Sequence, residues 1–218
     1  MEFKIDIKIF LIALVFLLVN QIYMYILFMI FAIIHECFHL LAGIILGYKV
    51  KSIRIMPLGL SIAFNEKEEE YNTKIKKSNF NNVKKIIILL MGPISNIVIA
   101  FFFMLLNMAI PVYINILIAI FNLLPIYPLD GGQILNRLSR IIYGNFEAYK
   151  ISNSVNNIIM SILTALASIG LLCTKNIAII FIIIFLWYFI IKENKKYKEI
   201  SKYFKSFHKL DKKSNYNI

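Results

Sequence analysis

The sequence is 218 residues long, 60% hydrophobic and 17% charged, with a mean hydropathy of +0.74 and a formal net charge of +12. A soluble domain of this size must present far more polar surface to water, so the composition excludes an ordinary soluble enzyme. No nucleic-acid recognition motif accompanies the positive charge, so we expect the lipid bilayer, and no nucleic acid, as a partner.

Apolar runs along the chain predict an all-α membrane protein with six transmembrane helices. Residues 9–48 are almost continuously apolar and would be about 60 Å long as one helix, so they must form two spans that turn at Asn20 and Gln21. We expect residues 1–191 to form one six-span core and residues 192–218 to form a basic cytoplasmic tail. The other predicted spans are 86–110, 113–137, 155–173 and 176–191.

The distribution of basic residues predicts the orientation of the chain. Six spans place both termini on the same side of the membrane. All of the 24 Lys and Arg residues except Lys175 then fall on that side, and Lys and Arg accumulate on the cytoplasmic side of membrane proteins. We therefore expect a multi-pass protein with both termini in the cytoplasm.

The second span carries His35, Glu36 and His39 in the sequence HECFH. Ionisable groups at membrane depth are costly unless they are paired or bind a metal, so by default they mark a functional site. His35 and His39 lie one turn apart on the same helix face and can bind one metal ion together. Glu36 is turned about 100° around the helix, where it can act as a base toward a water molecule without binding the metal. Buried structural histidines are the simpler alternative.

The stretch 50–64 follows the second span and is typical of two short strands that turn at Pro57, Leu58 and Gly59. We expect a short β-hairpin-like segment at the membrane boundary. Its exposed edge can accept an unwound substrate segment as an additional strand. A plain cytosolic connection explains the pattern equally well.

Two further segments predict breaks in regular helix at membrane depth. In the third span, GPISN contains Gly92, which suits close helix packing, and Asn96, which suits a hydrogen bond to a freed backbone group. In the fourth span, NLLPIYPLDGG runs from Asn122 to Gly132. Irregular backbone is tolerated at this depth only where it is buried in protein or lines a wet cavity.

Asp130 is the other carboxylate, besides Glu36, within a predicted span. Counted from the inner ends of their spans, Asp130 and His39 lie at similar depths. A catalytic zinc ion usually has three protein ligands and an open position for water. Asp130 is therefore the expected third ligand beside His35 and His39.

The order HECFH, GPISN and PLDG along the chain resembles the motifs of the site-2 protease family of intramembrane zinc metalloproteases. The resemblance covers about residues 5–190, and the layout is most similar to the sporulation subgroup of that family. It implies that His35, His39 and Asp130 bind one zinc ion per chain. It also implies that Glu36 is the catalytic acid/base and that Asn122 helps to hold the substrate backbone.

The resemblance further implies what the protein acts on and where. The reaction would be hydrolysis of a peptide bond in or near the membrane-embedded part of a regulatory protein, such as a sporulation pro-sigma factor. The partners would be this membrane-spanning or membrane-associated substrate and regulatory membrane proteins. The location would be a bacterial cell membrane.

Other functions remain open. An ion or proton transporter, or a metal-binding membrane protein, would use the same ionisable groups, but transport has no specific need for a Glu directly after the first His. A different HExxH membrane protease would take its third ligand from a downstream Glu, and the nearest candidates, at 66–70, are in a charged loop. A di-iron lipid desaturase would need more histidines than the two at membrane depth.

Overall fold

The protein is mostly helical in the computed structural model, which describes residues 2–5, 14, 16–18, 20–56, 59–64, 75–174 and 178–215. Five helices and three strands are assigned within these residues. In chain order they are β1 (Glu2–Ile5), α1 (Ile22–Ile45), β2 (Val50–Met56), β3 (Gly59–Phe64), α2 (Ile75–Leu105), α3 (Ala109–Leu123), α4 (Asp130–Thr174) and α5 (Ala178–Asn215).

Three of the described helices are long and apolar enough to cross a membrane. They are α1, the part of α2 from Asn79 to Leu105, and the part of α4 from Asp130 to Cys173, and α3 is a shorter apolar helix. The first of the six predicted spans lies mostly outside the described residues. The sixth lies in α5, which continues as helix to Asn215 instead of ending near residue 191. Six spans thus stay a prediction.

The helices are apolar on the outside and carry polar side chains inside. On α2, Ile97, Val98 and Phe101 are exposed, whereas Ser95 and Asn96 are buried. A continuous apolar outer surface is suited to lipid rather than water. Inside the bundle, each buried polar group needs a hydrogen-bond partner.

The predicted fourth span, 113–137, is not one continuous helix. α3 ends at Leu123, and regular helix starts again only at Asp130. Pro125 and Pro128 lie between them, and each removes a backbone N–H and restricts the residue before it. The break in regular helix that NLLPIYPLDGG predicts is confirmed.

The turn between α3 and α4 is held rigidly by its surroundings. Ile126 is fully buried in a cluster with Met160, Leu186 and Ile190, which come from α4 and α5. The backbone N–H of Tyr127 donates to Asn156 Oδ1 at 2.9 Å. These contacts tie the start of α4, and therefore Asp130, to the rest of the bundle.

Within α4, regular helix is interrupted at Gly144, which has a φ of 81°.

The segment after α1 forms two strands as predicted, within a sheet that has a third strand. β2 and β3 pair antiparallel, with Ile53 opposite Ile62, while Pro57 and Leu58 of the expected turn lie outside the described residues. β1 pairs parallel with β2, although the sequence predicts only a tail there. A Cβ on Gly43 of α1 would overlap the ring of Phe64, so β3 lies directly against α1.

Gly131 follows Asp130 at the start of α4 and packs closely against the end of α3. A Cβ at this position would lie 2.6 Å from the carbonyl oxygen of Leu124 and closer still to that of Leu123. Because both are backbone atoms, α4 would have to move away from the end of α3. We predict that Gly131→Ala lowers the free energy of unfolding by about 1–3 kcal/mol, measured by denaturation of the purified protein in detergent.

Gly170→Ala is the matched control, because its new Cβ would meet nothing nearer than Ile179 at 3.8 Å. Alanine in an unstrained helix is more stable than glycine by about 0.5–1 kcal/mol. Equal unfolding of Gly131→Ala and Gly170→Ala would contradict the close packing of the two backbones.

Candidate metal centre

Two helices and the turn before α4 bring His35, His39 and Asp130 together. The Nε2 atoms of the two histidines are 3.0 Å apart. Asp130 Oδ2 lies 3.0 Å from His35 Nε2 and 3.1 Å from His39 Nε2. All three side chains are buried, and Asp130 is 8% exposed. Among the described residues these three form the cluster of His, Cys, Asp and Glu that could hold a metal ion.

The other ring nitrogen of each histidine is hydrogen-bonded to an oxygen. His39 Nδ1 donates to the backbone carbonyl of Ile88 at 2.7 Å, and since a carbonyl only accepts, Nδ1 must carry the proton. His35 Nδ1 donates to Asn96 Oδ1 at 2.6 Å. In the neutral rings, each Nε2 is therefore left with a lone pair directed at Asp130.

This donor set fits zinc. Two imidazole nitrogens and one carboxylate oxygen are ligands of catalytic zinc sites, and bonds of about 2.0–2.1 Å in a tetrahedron place ligand atoms about 3.3 Å apart. The observed separations of 3.0–3.1 Å are close to that value. Three lone-pair atoms this near one another repel unless a proton or a metal cation lies between them.

Gly92 on α2 leaves the space beside the ligand atoms open. A Cβ there would lie 2.6 Å from His35 Nε2 and closer still to His39 Nε2. Any side chain would thus enter the space that a metal bound by both histidines needs. The helix break expected at GPISN is wrong, because α2 continues through Pro93; what the motif provides is the missing side chain at Gly92.

Glu36 and Asn122 line the same cavity as the three candidate ligands. Its volume is about 840 Å³. Glu36 lies on α1 beside His35, and Asn122 lies at the end of α3. Phe64 of β3 and Phe185 of α5 also line it. The structure therefore places all five site residues inferred from the sequence at one cavity.

Asn96 and Asn115 have functions that the sequence did not disclose. Asn96 was expected to bond a freed backbone group, but its Oδ1 accepts from His35. Its Nδ2 donates to Asn115 Oδ1 at 3.0 Å. The available signal for Asn115 was an isolated amide in the apolar stretch 109–121 of α3, which by itself does not indicate its partner.

The profile described as Peptidase family M50 matches residues 23–112 and 107–167, which include both histidines, Glu36 and Asp130. The chain belongs to peptidase family M50. The family expected from the three motifs is confirmed, while the sporulation subgroup stays a prediction.

A curated relative and a solved structure, both from Methanocaldococcus jannaschii, are similar to this chain. "Zinc metalloprotease MJ0392" is 26% identical over 186 residues, which cover 84% of this chain and 52% of that protein. The chain thus spans about half the length of that curated relative. The solved structure of a site-2 protease has a TM-score of 0.65 at 20% identity and covers 88% of this chain and 91% of its own. The two share the fold.

We predict that Gly92→Ala abolishes zinc binding while the protein still folds. The added methyl group would lie within 2.6 Å of both Nε2 atoms, in the space that the metal needs. Zinc content after dialysis, measured by mass spectrometry against protein concentration, checks this. Gly170→Ala makes the same substitution away from the site and should bind zinc as the native protein does. Native zinc content in Gly92→Ala would show that the metal lies elsewhere.

Proposed function

We propose that this protein is an intramembrane zinc metalloprotease of the site-2 protease type. It hydrolyses a peptide bond in or near the membrane-embedded part of a protein substrate. The observation that supports this most strongly is the meeting of His35, His39 and Asp130 within 3.0–3.1 Å of one another, in a cavity that Glu36 also lines.

Each residue has a distinct task in this reaction. His35, His39 and Asp130 hold one zinc ion, which when bound supplies a Lewis acid that polarises the scissile carbonyl and makes water acidic enough to attack near neutral pH. Glu36 accepts the proton of the attacking water and delivers it to the leaving amine. The hydrogen bonds to Ile88 and Asn96 keep both imidazoles in the orientation that binding requires.

The rigidity of the site favours hydrolysis over ion transport. A transporter must release its ion, and its ligands have to move or exchange partners. Here both imidazoles are fixed by buried hydrogen bonds of 2.6 and 2.7 Å. The alternative third ligand, a Glu at 66–70, lies outside the described residues, whereas Asp130 is already in contact with both histidines.

The cavity suggests how substrate and water reach the site. It is lined by Lys85, Lys192 and Lys196 as well as by the candidate ligands, and basic residues accumulate on the cytoplasmic side. Water therefore reaches Glu36 from the cytoplasm, where we also place both termini.

β3 is at one end of the described sheet order, with Phe64 in the cavity, and can pair with an unwound substrate segment. A bacterial membrane and a sporulation pro-sigma factor stay predictions.

We predict that Glu36→Gln reduces cleavage at least about 100-fold and leaves zinc content unchanged. Asp130→Ala should lose both cleavage and zinc. Co-expression with candidate membrane-associated substrates, followed by immunoblotting, measures cleavage. Glu147→Gln is the control, because the Glu147 side chain is about half exposed and pairs with Lys150, and Glu147 does not line the cavity described above. Cleavage by Glu36→Gln at the native rate would refute the mechanism.

We predict that Asn122→Leu raises KM about tenfold and leaves zinc content unchanged. A tenfold change corresponds to the loss of about one hydrogen bond between the uncharged Asn122 amide and the substrate backbone. Asn122 lines the cavity beside Phe121 and contacts neither histidine among the hydrogen bonds described for that part of the chain. Peptide-cleavage kinetics in detergent check this. A fall in kcat with unaltered KM would instead assign Asn122 to the chemical step.

A further inference from the structure

A chain of buried amides connects His35 to a backbone carbonyl on another helix. His35 Nδ1 donates to Asn96 Oδ1 at 2.6 Å. Asn96 Nδ2 donates to Asn115 Oδ1 at 3.0 Å, and Asn115 Nδ2 donates to the carbonyl of Pro111 at 2.8 Å. The chain crosses α1, α2 and α3. We call these three hydrogen bonds the asparagine relay.

The direction of the relay is set from its far end. The Pro111 carbonyl can only accept, so Asn115 must turn its Nδ2 toward it and its Oδ1 toward Asn96. Asn96 must then donate with its own Nδ2, which turns its Oδ1 toward His35. An amide oxygen cannot donate, so the proton of the neutral imidazole is fixed on Nδ1 and the lone pair on Nε2.

We infer that Asn96 and Asn115 are positioning residues that fix the tautomer and ring orientation of His35 for metal binding. This inference rests on the proposed zinc site and extends it to two residues that contact neither metal nor substrate. Metal-binding histidines depend on the partner of their second nitrogen, and losing it lowers affinity about 10–100-fold.

The complete burial of Asn96 and Asn115 argues against a role in packing alone, because buried amides cost free energy that apolar side chains do not. Asn96 and Asn115 are each 0% exposed, and both lie in apolar helices. Burying an amide costs free energy that a leucine of similar size would not cost. The two amides offset this cost of burial by forming hydrogen bonds to each other, to His35 and to the Pro111 carbonyl.

Zinc affinity of the purified full-length protein, measured by competition with a chromophoric chelator, tests the relay. We expect Asn96→Leu to bind zinc about 10–100-fold more weakly and Asn115→Leu about tenfold more weakly. Asn96→Asp should keep near-native affinity. An ionised carboxylate accepts from His35, and a protonated one also donates to Asn115 as the amide does.

Asn82→Leu is the matched control for the leucine variants. Asn82 is on the same helix as Asn96 and is buried at 8% exposure, but its Oδ1 accepts from Arg137 at 3.3 Å instead of from a histidine. We expect native zinc affinity for this variant. A comparable loss in Asn82→Leu would mean that any buried polar change on α2 disturbs the site, and it would overturn the relay.

The pattern of results separates positioning from packing. Packing alone predicts that Asn96→Leu keeps native zinc affinity and that Asn96→Asp loses it. Our expectation is the reverse, so either result overturns the inference. Native affinity in Asn115→Leu would overturn the part of the relay beyond Asn96. If Asn96→Leu does not fold, Asn96→Asp and Asn115→Leu still decide the question.

The same measurements keep this inference separate from the proposed function. A protein that binds zinc through His35 but cleaves no substrate would refute the protease proposal and leave the relay testable by affinity. A protein that cleaves substrate, with unchanged zinc affinity in Asn96→Leu and Asn115→Leu, would refute the relay and leave the protease proposal intact.

Discussion

Three lone pairs that face one another at 3.0–3.1 Å are the central constraint of this structure. In water, two imidazoles and a carboxylate would separate and hydrate. Inside an apolar bundle they cannot, since each unpaired polar group costs several kcal/mol there. The Nδ1 atoms of both histidines are already bonded, so a proton or a metal cation shared by the Nε2 atoms and Asp130 is needed to relieve the arrangement.

Much of the surrounding fold serves to maintain this convergence. Helical pitch alone places His35 above His39, whereas Asp130 must be brought in from 91 residues farther along the chain. Its position depends on a turn that is anchored by Ile126 in the apolar cluster and by Asn156 on the backbone of Tyr127. Gly92 then leaves open the space beside the ligand atoms, which any side chain would enter.

The sequence was informative wherever spacing or depth is local. His35 and His39 were predicted as ligands from their i, i+4 spacing. Asp130 was predicted as the third ligand because carboxylates are rare in membrane spans. The partner of Asn96 could not be inferred, because it depends on which face of α2 meets α1. β1 was missed because parallel strands far apart in sequence leave no turn signal. The break within 113–137 was predictable because Pro125 and Pro128 are local signals that end a helix.

The use of amides around His35 has an electrostatic basis. With zinc bound as proposed, its two positive charges are balanced by Asp130 and Glu36, and the neutral imidazoles add none. A carboxylate at position 96 would add an uncompensated charge in a low-dielectric interior when ionised, which costs folding free energy rather than ligand geometry. An amide is neutral and carries both a donor and an acceptor. Asn96 can therefore donate to Asn115 and accept from His35 without changing the net charge at the proposed zinc site.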